Sequence, residues 1–293
     1  MPAIPVMAVV FLSFIIIGMA LPVLPLHVHD VLGFGPLVVG IVAGGQFAAA
    51  LISRFWAGRL SDSRGAKYAV VLGLIVSVIG GVFYIASLLV LNRAVLSVTL
   101  ILIGRTLVGG AESLMITGGI AWGLGLVSSE SSAKVIAWVG MAMFAALAAG
   151  APLGSLVFER WAFFGIALVT ALVPIAALVI IRRLPALVPE VSRKAGISTV
   201  LGAVALPGLG FALSGITFGA VTSFLTLYFS VSGWNHGALA FTTFAVAPVF
   251  LSMLPRLEES VFCIMLGDQY ILNDLRSVGG VVPRLALRLR HIV

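Results

Sequence analysis

The sequence predicts an all-α, polytopic membrane protein, and three observations carry that expectation. Hydrophobic residues make up 61% of the 293-residue chain, charged residues only 9%, and the mean hydropathy is +1.22; soluble domains run at roughly 45–50% apolar and about 25% charged. The apolar residues come in repeated runs near the roughly 20 residues that cross a ~30 Å hydrocarbon core as a helix. Lys and Arg gather in alternate connections between those runs, the pattern set by membrane insertion.

The same composition excludes other classes. A lone Cys263 rules out a disulfide framework or a cysteine metal cluster, and the four histidines, two of them in His27-Val28-His29, form no helical or hairpin ligand set. They read as interfacial or loop residues. No metal or cofactor is expected. The net charge of +7 invites a nucleic-acid reading, but the bases lie in short connections and the tail, so no nucleic-acid partner is expected. No nucleophile–base pair or phosphate loop is visible, which argues against an enzyme. The first apolar run lacks a basic leader and a small-residue cleavage site, and so reads as a retained span rather than a signal peptide.

In chain order, the first span is expected over Ile4–Leu26, with Pro22 and Pro25 kinking or breaking its far end. Asp30–Pro36 forms a glycine-bearing turn. The second span covers Leu37–Ala57 and carries Gly40, Gly44 and Gly45, small residues that let helices approach closely. A charged loop, Gly58–Lys67, separates it from the third span, Tyr68–Leu91. After Asn92-Arg93 comes the fourth, Val95–Leu114, with a glycine-rich continuation towards Val127. A polar loop, Ser128–Lys134, precedes the fifth span, Val135–Phe158, and Glu159-Arg160 joins that to the sixth, Trp161–Ile181. The longest polar connection, Arg182–Ser198, leads to a seventh run, Thr199–Phe229, and an eighth, Gly237–Leu254.

Alternate connections divide the bases nine against two: Arg54, Arg59, Arg64, Lys67, Lys134, Arg182, Arg183, Arg193 and Lys194 on one side, Arg93 and Arg160 on the other. This bias predicts a cytoplasmic N-terminus in a cell inner membrane. A shift of 201 residues sets Leu12-Ser13 on Leu213-Ser214, Gly18 on Gly219, Leu24 on Leu225 and Leu26 on Leu227, a faint echo of the repeats from which transporters are built. The expected organisation is a six-span bundle over 1–182, a cytoplasmic linker over 183–198, two spans of a second bundle over 199–254, and a cytoplasmic tail over 255–293. That tail holds no clear span, and charge density more than doubles from Ala245 onward, with nine charged residues in the last 49 against 18 in the preceding 244. It reads either as a natural tail or as the product of a frame change in a longer gene; the second is the expectation here.

Charge at bilayer depth is expensive, so Arg105 and Glu112 in the fourth span are candidate functional residues. Seven residues apart, they share a helix face about 10.5 Å apart along the axis and can line one cavity. Glu112 is the candidate carrier of a coupled proton, and Arg105 binds an anionic or hydroxyl group or tunes that carboxyl. The alternatives are that Arg105 snorkels to an interface and that Glu112 caps a helix break beside Gly109-Gly110. Gln46, Thr217 and Thr222 can line a pathway or bond to backbone carbonyls one turn back.

Gly58, Leu60, Asp62, Gly65 and Lys67 match, in place, the Gly-x-Leu-x-Asp-[Arg/Lys]-x-Gly-[Arg/Lys]-[Arg/Lys] loop between the second and third spans of the major facilitator superfamily, which this chain resembles. Ser63 and Ala66 depart from the pattern, while Arg64 restores one base. Arg105-Thr106-Leu107-Val108-Gly109-Gly110 is similar to the family's fourth-span pattern. Gly150-Ala151-Pro152-Leu153-Gly154 is similar to its antiporter pattern, with Ala151 in place of the usual Gly. Gly18-Met19-Ala20-Leu21-Pro22-Val23-Leu24-Pro25 and Glu112-Ser113-Leu114 look most like the sugar-efflux and drug-efflux branches. The resemblance implies a secondary transporter of small solutes, proton-coupled and working by alternating access in a lipid bilayer. It also implies that Gly58, Asp62, Arg64, Gly65 and Lys67 form a gate, with Asp62 facing an eleventh span that no part of this sequence supplies. The rival expectation is a truncated, non-transporting membrane protein or interaction partner.

Overall fold

The computed structural model describes residues 4–127, 132–182, 184–186, 218–221, 223–234 and 237–252. Nearly all of them belong to one compact unit, Met1–Ser192 with Phe218–Phe250; the second unit, Arg193–Thr217 with Leu251–Val293, lies almost wholly outside the described residues. So do most of the expected linker, the first part of the seventh run and the tail.

The described residues are mostly helical and include no strand. α1 spans Ile4–Leu26, α2 Pro36–Arg64, α3 Ala66–Leu88, α4 Ala94–Gly125 and α5 Ser132–Arg182. These five are long and apolar enough to cross a membrane. α6 comprises the helical residues 218–221 and 223–231, and α7 is Gly237–Ser252.

α5 is 51 residues long, about twice what one crossing needs, and it is broken at Ala162, whose φ of 49° and ψ of −151° are not helical. The chain reverses there. The Val157 side chain lies against the backbone of Gly165, whereas eight residues of straight helix would separate them by about 12 Å. The fifth and sixth expected spans are therefore the two arms of α5, turning one residue beyond Trp161.

Pro22 and Pro25, expected to kink or break the far end of the first span, leave α1 unbroken: it stays helical to Leu26 and then widens into a π-helical turn over His27–Val31. Proline is tolerated inside membrane helices where neighbouring helices and local π adjustments re-satisfy the freed backbone groups. Gly58–Lys67 is not a loop: α2 runs on as helix through Arg64, and the reversal into α3 is made by Gly65 alone. Charge marked where the chain meets polar surroundings, not where the helix ends.

Core packing follows the small residues. α1 lies along the first arm of α5, α3 along α4 and the second arm, and α2 along α4. At the end remote from the N-terminus, Val23, Leu24, Val28, Tyr84, Val98, Phe163 and Ile166 cluster; at the other end, Val6, Val9, Val70, Leu74, Met115, Trp122 and Ile181 do. His27, expected at an interface, is instead 3% exposed and stacks on Phe163 with ring centroids 4.2 Å apart.

Candidate functional site

α4 is continuous through Gly109-Gly110, so Glu112 caps no break. Nor does Arg105 snorkel: it is 1% exposed in mid-bundle. Among the described residues its Nε and Nη1 have no hydrogen-bond partner, and neither has the buried hydroxyl of Tyr84, its electrostatic neighbour. The Tyr84 ring lies against Gly104, where any side chain would collide with it. Glu112 is half-buried, and its Oε2 accepts a hydrogen bond of 2.8 Å from Nε2 of the fully buried Gln46, 66 residues away on α2. Arg54 and Arg105 act on the same carboxyl through space.

Gly109 makes this pairing possible. A Cβ at that position would fall on the carbonyl of Gln46, so only glycine lets the α2 and α4 backbones touch there. With the helices in contact, the carboxamide of Gln46 bridges to Glu112 directly. Its Oε1 has no partner among the described residues. Buried polar atoms are nearly always satisfied in proteins; Gln46, Arg105 and Tyr84 each carry at least one without a partner among the described residues. Of the other pathway candidates, Thr217 and Thr222 lie outside the described residues.

The charged motif divides into separate duties. Gly58 sits in helix with open space about it. Asp62 is exposed, with no partner among the described residues. Arg64 folds back on Tyr68, donating to its hydroxyl at 2.9 Å with the guanidinium over the ring. Gly65 adopts φ 97° and ψ 150°, a region in essence restricted to glycine. Lys67 donates to the carbonyl of Leu184, just past the end of α5, while its ammonium lies 5.9 Å from the centroid of the Trp122 ring. Trp122 Nε1 in turn donates to the carbonyl of Pro185 at 3.1 Å. Lys67 and Trp122 together clasp the chain as it leaves the sixth crossing.

Gly150 and Gly154 face α1 at backbone contact, against Ile15 and Gly18 in the first case and Met19 in the second; Gly18 reciprocates against Ala146 and Leu147. Pro152 lies between them inside the helix. This stretch is a small-residue seam between α1 and the first arm of α5. Sequence reasoning missed Tyr84, Trp122 and His27, aromatic groups whose polar atoms become telling only once burial is known. Among the described residues, no group of His, Cys, Asp and Glu could hold a metal.

Five helices long and apolar enough to cross a membrane, packed around a buried arginine and a half-buried carboxyl, are the arrangement of a polytopic α-helical membrane protein. The chain belongs to the Major Facilitator Superfamily, whose family profile matches residues 6–263. It is 34% identical over 263 residues to an uncharacterised MFS-type transporter of Salmonella typhimurium strain LT2, covering 90% of this chain and 66% of that protein. It is 37% identical over 245 residues to the uncharacterised MFS-type transporter YhhS of Escherichia coli K12, covering 83% and 60%. The chain thus spans about two thirds or less of the length of these relatives.

Proposed function

We propose that this chain acts in proton-coupled secondary transport of small solutes, of the sugar- or drug-efflux type, by alternating access in the cell inner membrane with the N-terminus in the cytoplasm. Residues 1–182 serve as a six-span bundle, 183–198 as a cytoplasmic linker, 199–254 as the start of a second bundle and 255–293 as a cytoplasmic tail. The observation that carries the reading is the Gln46–Glu112 pair beside buried Arg105. A carboxyl held inside an apolar bundle, with a single neutral donor and two cations acting through space, is suited to carry a proton without leaving its place.

The supporting chemistry is simple. Glu112 takes a proton from one side and releases it to the other as access alternates. Gln46 holds the carboxyl in both states, since a carboxamide can donate through its N–H or accept through its oxygen. Arg105 fixes the local field, and the α1–α5 seam of Gly150, Pro152 and Gly154 keeps two helices locked as one body. Gly58, Asp62, Arg64, Gly65 and Lys67 serve as a gate on the cytoplasmic side.

The test uses everted membrane vesicles containing the 293-residue chain, energised with lactate and reported by acridine orange. A panel of neutral, cationic and anionic small solutes should include one that dequenches the dye. Glu112→Gln should abolish that proton movement while leaving equilibrium binding of the same solute intact. Wild-type dequenching in Glu112→Gln would refute the assignment, and no response to any solute in the wild type would favour the non-transporting alternative.

A further inference from the structure

Two irregular stretches of backbone meet at the end of the bundle remote from the N-terminus. α1 gives way there to the π-helical turn His27–Val31, and α5 reverses at Ala162, whose φ of 49° and ψ of −151° are costly for any residue but glycine. Each delivers one ring to a single contact. His27 lies on Phe163 with centroids 4.2 Å apart and planes 9° from parallel, and Tyr84 of α3 stands against the same phenyl ring at 5.5 Å. All three residues are buried, and Val28, next to His27, is 0% exposed. Strained backbone persists where its surroundings hold it, and π-turns recur at functional sites. Here both serve one stacked pair.

The two histidines of the turn are placed differently. His29 is half-buried, and its Nδ1 donates to the Phe34 carbonyl at 2.9 Å, so a charged ring there keeps an acceptor and reaches water. The Nε2 of His27 is buried with no partner among the described residues. A proton added to it creates an N–H without an acceptor and a charge without water. The Phe163 face attracts a cation, but the cost of enclosing a charge among apolar side chains outweighs what one aromatic face supplies. No neighbouring charge offsets that cost. α1 and α7 carry no charged residue, and α2 none before Arg54. Asp30 on the same turn, Arg93 ahead of α4, Glu159 and Arg160 ahead of the reversal, and Tyr228 of α6 are all exposed. Tyr84 is buried with the stack, and its electrostatic neighbour Arg105 is itself a cation, which opposes a second one.

We propose that the His27–Phe163 stack is an acid-released latch: protonation of His27 expels its ring from the cluster and frees the end of α1 from the reversal in α5. Histidine is the side chain whose charge ordinarily changes between pH 5 and 8, so the latch works in the range a cell surface meets. A released imidazole titrates near pH 6.5, whereas the closed stack holds no proton, so acid favours the released form and the released population grows about 30-fold between pH 7.5 and pH 5. In the orientation proposed above this end faces out of the cell, and acid outside opens the bundle on the side from which a proton would reach Glu112. That consequence rests on the proposed transport; release by acid stands alone.

The test is thiol labelling of the purified 293-residue chain in detergent. Cys263, the lone cysteine, is changed to Ser, and Val28→Cys places a thiol beside the stack. Its rate with 4,4′-dithiodipyridine is divided by that of glutathione at the same pH, which removes the titration of the thiol itself. The normalised rate should rise about 30-fold from pH 7.5 to pH 5. His27→Phe, which keeps a flat ring on Phe163 but takes no proton, should stay slow at both pH values, and His27→Gln, which cannot stack, should be fast at both. His29→Gln should keep the full rise. A thiol at the other end of the bundle, Val70→Cys, 1% exposed before substitution, should show no rise. A flat profile with His27 present, a rise that survives both His27 substitutions or is lost with His29→Gln, or an equal rise at Val70→Cys would each overturn the proposal. Acid release that depends on His27 in a protein that moves no protons would sink the transport reading alone.

Discussion

Gly109 and Gly110 are adjacent glycines in the middle of α4, and the structure assigns them opposite fates on replacement by alanine. A methyl at Gly109 would fall on the Gln46 carbonyl, whereas nothing lies within 4 Å of one at Gly110. Helix propensity favours alanine over glycine by about 0.8–1 kcal/mol at both positions, so this contribution cancels in the comparison. What remains is overpacking against backbone, which no rotamer change can relieve, at about 1–3 kcal/mol. Gly109→Ala should therefore be less stable than Gly110→Ala by that amount, and Gly110→Ala should equal or exceed the wild type. Separating α2 from α4 by about 1 Å would also stretch the 2.8 Å Gln46–Glu112 bond beyond the range of a hydrogen bond. The assay is the fraction of protein remaining monodisperse by size-exclusion chromatography after heating in detergent, read as a melting curve for each variant. Coincident curves for the two variants, or a lower midpoint for Gly110→Ala, would refute the claim that the helices touch at Gly109.

The two matched glycines of the charged motif give a second comparison. Gly65→Ala places a side chain at φ 97° and should cost about 1–3 kcal/mol, seen as a lower melting midpoint, while Gly58→Ala, in open helix, should be neutral or slightly stabilising. For the clasp, Lys67→Ala should raise deuterium uptake about fivefold in the peptide covering 181–186, the change expected from losing one hydrogen bond of about 1 kcal/mol. Trp122→Phe, which keeps the ring and deletes the N–H, should act in the same direction, and Lys67→Arg should restore protection. Unchanged exchange in both variants would mean that Lys67 and Trp122 do not hold the end of α5.

Much of the fold was legible in the sequence because the membrane imposes so simple a code. Run length located the crossings, and the reversal expected at Glu159-Arg160 lies within two residues of the break at Ala162. Helical spacing correctly put Arg105 and Glu112 on one element. Their surroundings were not legible, because a partner such as Gln46 is set by which faces of α2 and α4 meet. That depends on Gly109, one of 33 glycines, and nothing in its local sequence separates it from Gly110. The charged motif misled in a different way. Its bases suggested a loop, but Arg59 and Arg64 lie over the rings of Phe55 and Tyr68, so a helix end carries them comfortably.

The continuity of α2 ties these parts together. From Gln46 to the hinge at Gly65 there is unbroken helix, 19 residues or about 28 Å at 1.5 Å per residue. A tilt of α2 about Gly65 by about 2° would move Gln46 by about 1 Å over that length. That displacement is what the 2.8 Å bond to Glu112 cannot absorb and still remain a good hydrogen bond. The contact at Gly109 resists movement towards α4 but not away from it. Strain at the hinge and loss of the carboxyl's partner are thus two ends of one rigid element, and a substitution at either end should register at the other.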